Sequence, residues 1–136
     1  MLRLTETEYQ ALLGKKQNPG KIPHTIIHAD GYTFPSQAEY RRYGELKLLS
    51  AQHHIRNLRI HPKFTFVMTD QKTGSAQKIG TYSADSSYEE MQRDGTWAFV
   101  VEEVKSAYTK DHAWYKRQKK MMKAHHNITI REVVYA

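Results

Sequence analysis

Apolar positions change period along this chain, and each change marks an element. Thr5-Glu-Thr-Glu8 has the spacing of a capping box, and Tyr9, Leu12 and Leu13 fall on one side of the short helix it opens, which should run to Gly14. Prolines, glycine and charge interrupt the pattern over 15–23, as a linker does. Residues 24–34 hold two β-prone runs split by Asp30-Gly31, a strong hairpin signal. Pro35-Ser36 opens a second helix to about Ala51, with Ser36 as N-cap, Ala38, Leu46 and Leu49 as the apolar stripe, and Arg41, Glu45 and Lys47 mostly outside it. The pattern then predicts a strand near 64–68, a turn-rich segment over 69–76, a strand over 81–85, a turn at Arg93-Asp-Gly95 and a strand over 97–105. A third helix over about 110–126 stops at Asn127, and 128–134 form a last strand. Helix, three strands, helix, strand describes an α/β sandwich around a short mixed sheet.

Composition narrows the chemistry. At 136 residues the chain is one domain with room for a real core. The absence of cysteine excludes disulfide scaffolds, thiolate metal sites and cysteine nucleophiles, so any metal must sit on oxygen or imidazole. The first residues lack the basic-then-apolar order of a secretory signal, and the apolar runs are short, which predicts a soluble intracellular protein with no membrane partner. Net charge is +7, with 21 Lys and Arg against 14 Asp and Glu, and the excess lies in the last third. Such a balance suits a polyanion, although a solvated basic surface explains it equally.

Glu103-Val104-Lys105 ends the strand over 97–105, and residues two apart share a strand face. Trp97, Phe99 and Val101 alternate in phase with Glu103 and Lys105, so the charges share an otherwise apolar face and need a reason to be there. An ion pair at the strand end is the simple one. With Asp85 brought across a sheet, the set becomes two carboxylates and a lysine, the makings of a magnesium-dependent phosphodiesterase site. Asp85 also stands among serines that suit a turn. Glu39, three residues after Ser36, either caps its own helix or turns inward to complete a cation's oxygen shell. Glu102 faces the other way and is the weaker ligand. On the third helix Lys116, Lys119, Lys120 and Lys123 make one ridge, opposite a stripe of Trp114, Gln118, Met121, Met122 and His125. The ridge suits phosphate tracking or plain solvation, and Tyr108 and Thr109 stand at the helix entrance. His61 and His112 are minor candidates for approaching a nucleic acid, and no histidine spacing resembles a zinc motif.

Taken together, Phe34-Pro-Ser-Gln-Ala-Glu39-Tyr-Arg41, Tyr82-Ser-Ala-Asp85, Val100-Val-Glu-Glu103-Val-Lys105 and Thr109 with Tyr115-Lys116 and Lys119 resemble the restriction-endonuclease-like nucleases of the PD-(D/E)xK type. The likeness is greatest to the phage and prophage Holliday-junction-resolvase-like endonucleases. It departs from their pattern at Ala84, where the motif's name has proline, and at Ser106, where glycine is common. The resemblance implies an αβββαβ core, a nuclease domain over 24–136 preceded by a helix and basic linker over 1–23, and a role in phage or mobile-element DNA processing inside a bacterial host. It further implies Asp85 and Glu103 as metal ligands, Lys105 as the catalytic lysine and Glu39 as the helix carboxylate, with Mg2+ as cofactor and Mn2+ as substitute. Arg41, Thr109 and the four ridge lysines are then the expected DNA contacts, and cutting two strands of branched or double-stranded DNA implies a homodimer. Two other readings stay open: a DNA-binding module of the same fold without catalysis, and a transposon-end or site-specific cleaving subunit that needs a partner protein.

Overall fold

The computed structural model describes residues 3–13, 26–106 and 112–135, among them three helices and eight strands. In chain order these are α1 (Glu6–Leu13), β1 (Ile27–Ala29), β2 (Tyr32–Phe34), α2 (Gln37–Ala51), β3 (Ile55–Ile60), β4 (Lys63–Thr69), β5 (Ala76–Ser83), β6 (Ser86–Met91), β7 (Trp97–Ser106), α3 (Ala113–His126) and β8 (Arg131–Tyr135). The linker over 15–23, Tyr108, Thr109 and the side chains of Leu12 and Leu13 lie outside the described residues.

Local signals set the element ends. Thr5 and Glu8 close the capping box in both directions, Thr5 N–H to Glu8 Oε2 at 3.0 Å and Glu8 N–H to Thr5 Oγ1 at 3.2 Å. Asp30 and Gly31 both take positive φ, 53° and 81°, as the tight turn between β1 and β2 requires. Ser36 is extended and its Oγ accepts the Glu39 amide at 3.1 Å, while Asn127 ends α3 in the left-handed region.

β3, β6, β7 and β8 form a mixed four-stranded sheet in that order, antiparallel except for the parallel pair β7–β8. The class is mixed α/β. Around the sheet the chain runs α2, β3, β6, β7, α3, β8, the αβββαβ order that the resemblance implies, but of its three middle strands the pattern predicts only β7, and Ser86–Met91, whose serines suit a turn, forms β6. β3 is likewise a strand that the pattern does not announce, because Ile55-Arg-Asn-Leu-Arg-Ile60 is half polar and irregular, with a bulge between Arg56 and Arg59. The strands expected at 64–68 and 81–85 do form, as β4 and β5, but they pair with each other as a separate hairpin outside the sheet.

The sheet is covered on both faces. Leu46 and Leu49 of α2 pack with Ile55, Tyr88 and Val100, while Met122 of α3 packs with Val101 and Ile130 and with Phe66 and Tyr82 of the hairpin. His125 and His126 fasten the hairpin to α3: His125 Nε2 meets the Val67 backbone and His126 Nε2 donates to Thr65 O, each at 3.0 Å. The hairpin begins and ends at one place. His61 N–H donates to Asp85 O and Ala84 N–H to Pro62 O, each at 3.0 Å.

A polar network crosses the α2 face. Arg42, 2% exposed, sends Nε to Glu102 Oε1 (2.7 Å), Nη2 to Glu102 Oε2 (3.0 Å) and Nη1 to Glu45 Oε2 (2.7 Å). Tyr88 donates its phenol to Glu102, and Tyr135 donates to Glu45. Glu45 is therefore buried, contrary to its expected place outside the stripe: the helix needs its charge beside Arg42 more than it needs another apolar contact. α1 joins the same side through Arg41, which pairs with Glu6 at 2.6 Å and lies over the buried Tyr9 ring.

Candidate active site

β7 decides which side chains meet. Its residues alternate between the helix layers, so Glu102 enters the Arg42 network while Glu103 and Lys105 point together toward α3. Glu103 is buried; its Oε1 accepts the Tyr82 phenol at 2.6 Å and its Oε2 lies 3.6 Å from Lys105 Nζ. Lys105 keeps 15% of its side chain exposed and sits 4.6 Å from the centre of the Tyr115 ring and 5.2 Å from that of Trp114.

Asp85 arrives from another direction. It lies not within a strand but at the bend where the hairpin returns to the sheet, between β5 and β6. There its Oδ2 accepts the Val104 amide at 2.7 Å, which holds its carboxyl within hydrogen-bonding reach of Glu103. Glu39 completes the group from the first turn of α2. Ser36 receives the Glu39 amide, yet Glu39 does not return the bond, and its buried Oε2 has no partner among the described residues. The inward reading of Glu39 is thus the one its side chain adopts.

These four side chains line a cleft of ≈ 280 Å³, faced across by Trp114, Tyr115 and Gln118 of α3. Among the described residues four buried side-chain polar atoms lack a hydrogen-bond partner, and Glu39 Oε2, Tyr115 OH and the Gln118 amide oxygen, three of them, belong to this cleft. Unsatisfied buried groups are costly, so their concentration in one cavity marks a place built for a polar occupant.

The electrostatics agree. Burial first, and the nearby Asp85 charge second, push Glu39 up to about 7 and Glu103 up to about 8, with Lys105 opposing both. Burial also raises Asp85, against the Val104 amide and Lys105. Among the described residues three carboxyls face a single ammonium in this cleft, that of Lys105. Among the described residues no three carboxylate or imidazole groups stand close enough to ring a cation by themselves. A magnesium ion does not need that: it binds through one or two carboxylates and completes its shell with water and substrate phosphate. Asp85 with Glu103 is such a pair, and the unpartnered Glu39 oxygen in the same cleft suits a water of that shell, so the residues fit the ion.

The expected DNA contacts are placed less simply. Arg41 is turned to Glu6 and Tyr9 and not to the cleft, because a buried aromatic ring and an acidic first turn of α1 stand closer to it. Lys119 pairs with Glu132 of β8, Lys123 donates to Asn127 at 3.1 Å, and Lys116 and Lys120 are exposed. By helical period Lys116 and Lys123 lie on the flank of α3 away from Trp114 and Gln118, so the ridge does not line the cleft. Trp114 is not part of the core stripe, being 57% exposed; Tyr115 and Met122, seven apart, are the buried pair. His61 sits against Phe34 and Tyr32, with its ring at the rear of the site. Tyr82, Tyr115 and Gln118 line the cleft, and the pattern does not single them out as site residues. The seven-residue spacing of Tyr115 and Met122 is the one signal that could have shown which way α3 faces.

A family model described as "Protein of unknown function (DUF1064)" matches residues 20–135. No curated protein and no solved structure matches the chain. Among the described residues no helix is long and apolar enough to cross a membrane.

Proposed function

We propose that this chain, which belongs to the DUF1064 family, is a magnesium-dependent DNA endonuclease that hydrolyses phosphodiester bonds, with branched or junction DNA as its substrate. One observation carries the reading: α2, the joint between β5 and β6, and β7 each deliver a carboxylate to one cleft, with the lysine two residues beyond the last of them. The αβββαβ order around the sheet and the resemblance at the same four positions support it.

The roles follow from the contacts. The Val104 amide fixes Asp85 and the Tyr82 phenol fixes Glu103, so both carboxylates are oriented before any ligand arrives. A bound magnesium ion would supply charge stabilisation at the scissile phosphate and acidify a water. Lys105, braced by Tyr115 and drawn to Glu103, presents its ammonium to the cleft, where it orients the attacking water or neutralises the phosphate oxygens. In-line attack leaves a 5′-phosphate and a 3′-hydroxyl. We assign the exposed Lys116 and Lys120 to phosphates of a DNA arm passing the outer flank of α3, and two strands cut symmetrically would call for two copies of the chain.

Incubation with a four-way junction, a linear duplex, single strands and RNA, with and without magnesium, tests the proposal. Cleavage of DNA in magnesium alone is expected; intact DNA throughout, together with measurable binding, would leave a non-catalytic DNA module.

Two further outcomes are expected. Glu39→Gln keeps the helix cap, which uses Ser36 and the backbone amide, and removes a charge from the cleft. Cleavage should fall by at least about tenfold, ~1.4 kcal/mol in the barrier, while the melting temperature does not drop. A lower melting temperature with normal cleavage would return Glu39 to a structural role. Replacing Lys116 and Lys120 together by alanine should lower the slope of log affinity against log salt by roughly 0.9 for each lost contact, on every DNA alike. An unchanged slope would place both on plain solvent.

A further inference from the structure

The cleft carries one group that neither the metal chemistry nor the core explains. Trp114 stands in the first turn of α3, lines the cleft beside Lys105, and leaves 57% of its surface to solvent. The apolar need of α3 is already met by Tyr115 and Met122, both fully buried, so the indole is not there to cover the sheet. Neither is it loose. The Tyr115 ring meets it edge-on at 6.3 Å and 68°, and Lys105 Nζ sits 5.2 Å from its centre. The indole is therefore braced by the site itself while much of it stays open.

Resting on the endonuclease reading, we infer that Trp114 is a stacking platform for an unpaired base, so that the site takes DNA in which the nucleotide next to the scissile phosphate has left the duplex. Bases inside a duplex have both faces covered by their neighbours and offer a ring nothing to stack on; an unpaired base offers a whole face. The position beside Lys105 sets the scale, because a nucleotide stacked on the indole carries its own phosphate toward that ammonium. Arg117, exposed one turn further along the same helix, is placed for the adjoining phosphate. The ring selects the form of the substrate, and Arg117 adds affinity without regard to sequence.

The chain has two tryptophans, so Trp97→Phe leaves Trp114 as the only indole reporter. That variant is titrated without metal with a single-stranded oligonucleotide, a duplex bearing a single-stranded flap, and a fully paired duplex. Quenching of Trp114 emission by the strand and the flap, and not by the paired duplex, is expected. Trp114→Ala should weaken binding of the first two roughly tenfold and leave the third unchanged, and Trp114→Phe should restore most of the loss. Absence of quenching, or an equal loss on all three DNAs, overturns the inference. So does a Trp114→Ala protein that dissociates from dimer to monomer in sedimentation, which would assign the ring to an interface between copies. If unpaired DNA quenches the indole and no DNA is ever cut, stacking stands and the endonuclease reading fails.

Discussion

Asp85→Asn and Glu103→Gln should each lower magnesium-dependent cleavage by at least about a thousandfold, ~4 kcal/mol in the barrier, with binding of DNA in the absence of metal preserved. Removing a negative charge cannot weaken phosphate contacts, so a loss of both would mean a damaged fold and not a missing ligand. Stability separates the two cases. Glu103 stands at about 8, above the ordinary 4.5, because it is buried next to Asp85. A carboxyl raised in the folded state favours folding while it holds its proton, and that advantage, complete below 4.5, is lost as the pH rises through 8. Glutamine keeps the neutral form at every pH. Metal-free Glu103→Gln should therefore melt above the wild type at pH 8.5 and alongside it at pH 4, and magnesium should raise the melting temperature of the wild type alone. Near-normal cleavage by either variant would sink the site assignment; a wild type insensitive to magnesium would sink the cation.

The second large effect belongs to Arg42. Arg42→Met leaves Glu102 and Glu45 buried with their main partner removed, a situation that costs roughly 3–5 kcal/mol. Arg42→Lys keeps the charge and loses the fork that meets both oxygens of Glu102, so an intermediate loss is expected. Urea unfolding of the three proteins at neutral pH measures this. A loss below about 1 kcal/mol for Arg42→Met would show that solvent or a neighbouring cation reaches Glu102 after all.

The parts legible in the sequence are those whose signals are local. Ser36, Asp30-Gly31, Thr5 with Glu8, and Asn127 each act on backbone within a few residues, and each stands where the pattern puts it. The phase of β7 was legible for the same reason, since alternation along one strand determines that Glu103 and Lys105 share a face. What needed the structure is set by partners far away. Arg42 meets Glu102 sixty residues on, and nothing near either residue foretells it. Asp85 looks like the end of a strand because its neighbours are β-prone, whereas pairing of β5 with β4 alone puts it at a bend. Trp114 reads as core on hydrophobicity, whereas Tyr115 next to it has the better direction and is the one buried.

The hydrogen bonds that tie His61 to Asp85 and Ala84 to Pro62 have a consequence for how such a chain can change. They make the hairpin a closed detour whose entry and exit coincide, and past Val67 and Ile79 its strands lie in solvent. Its tip can be shortened, lengthened or exchanged without altering the distance from Asp85 to Glu103. Variation in reach toward a partner is thereby separated from constancy of the chemistry, and the two can be selected independently.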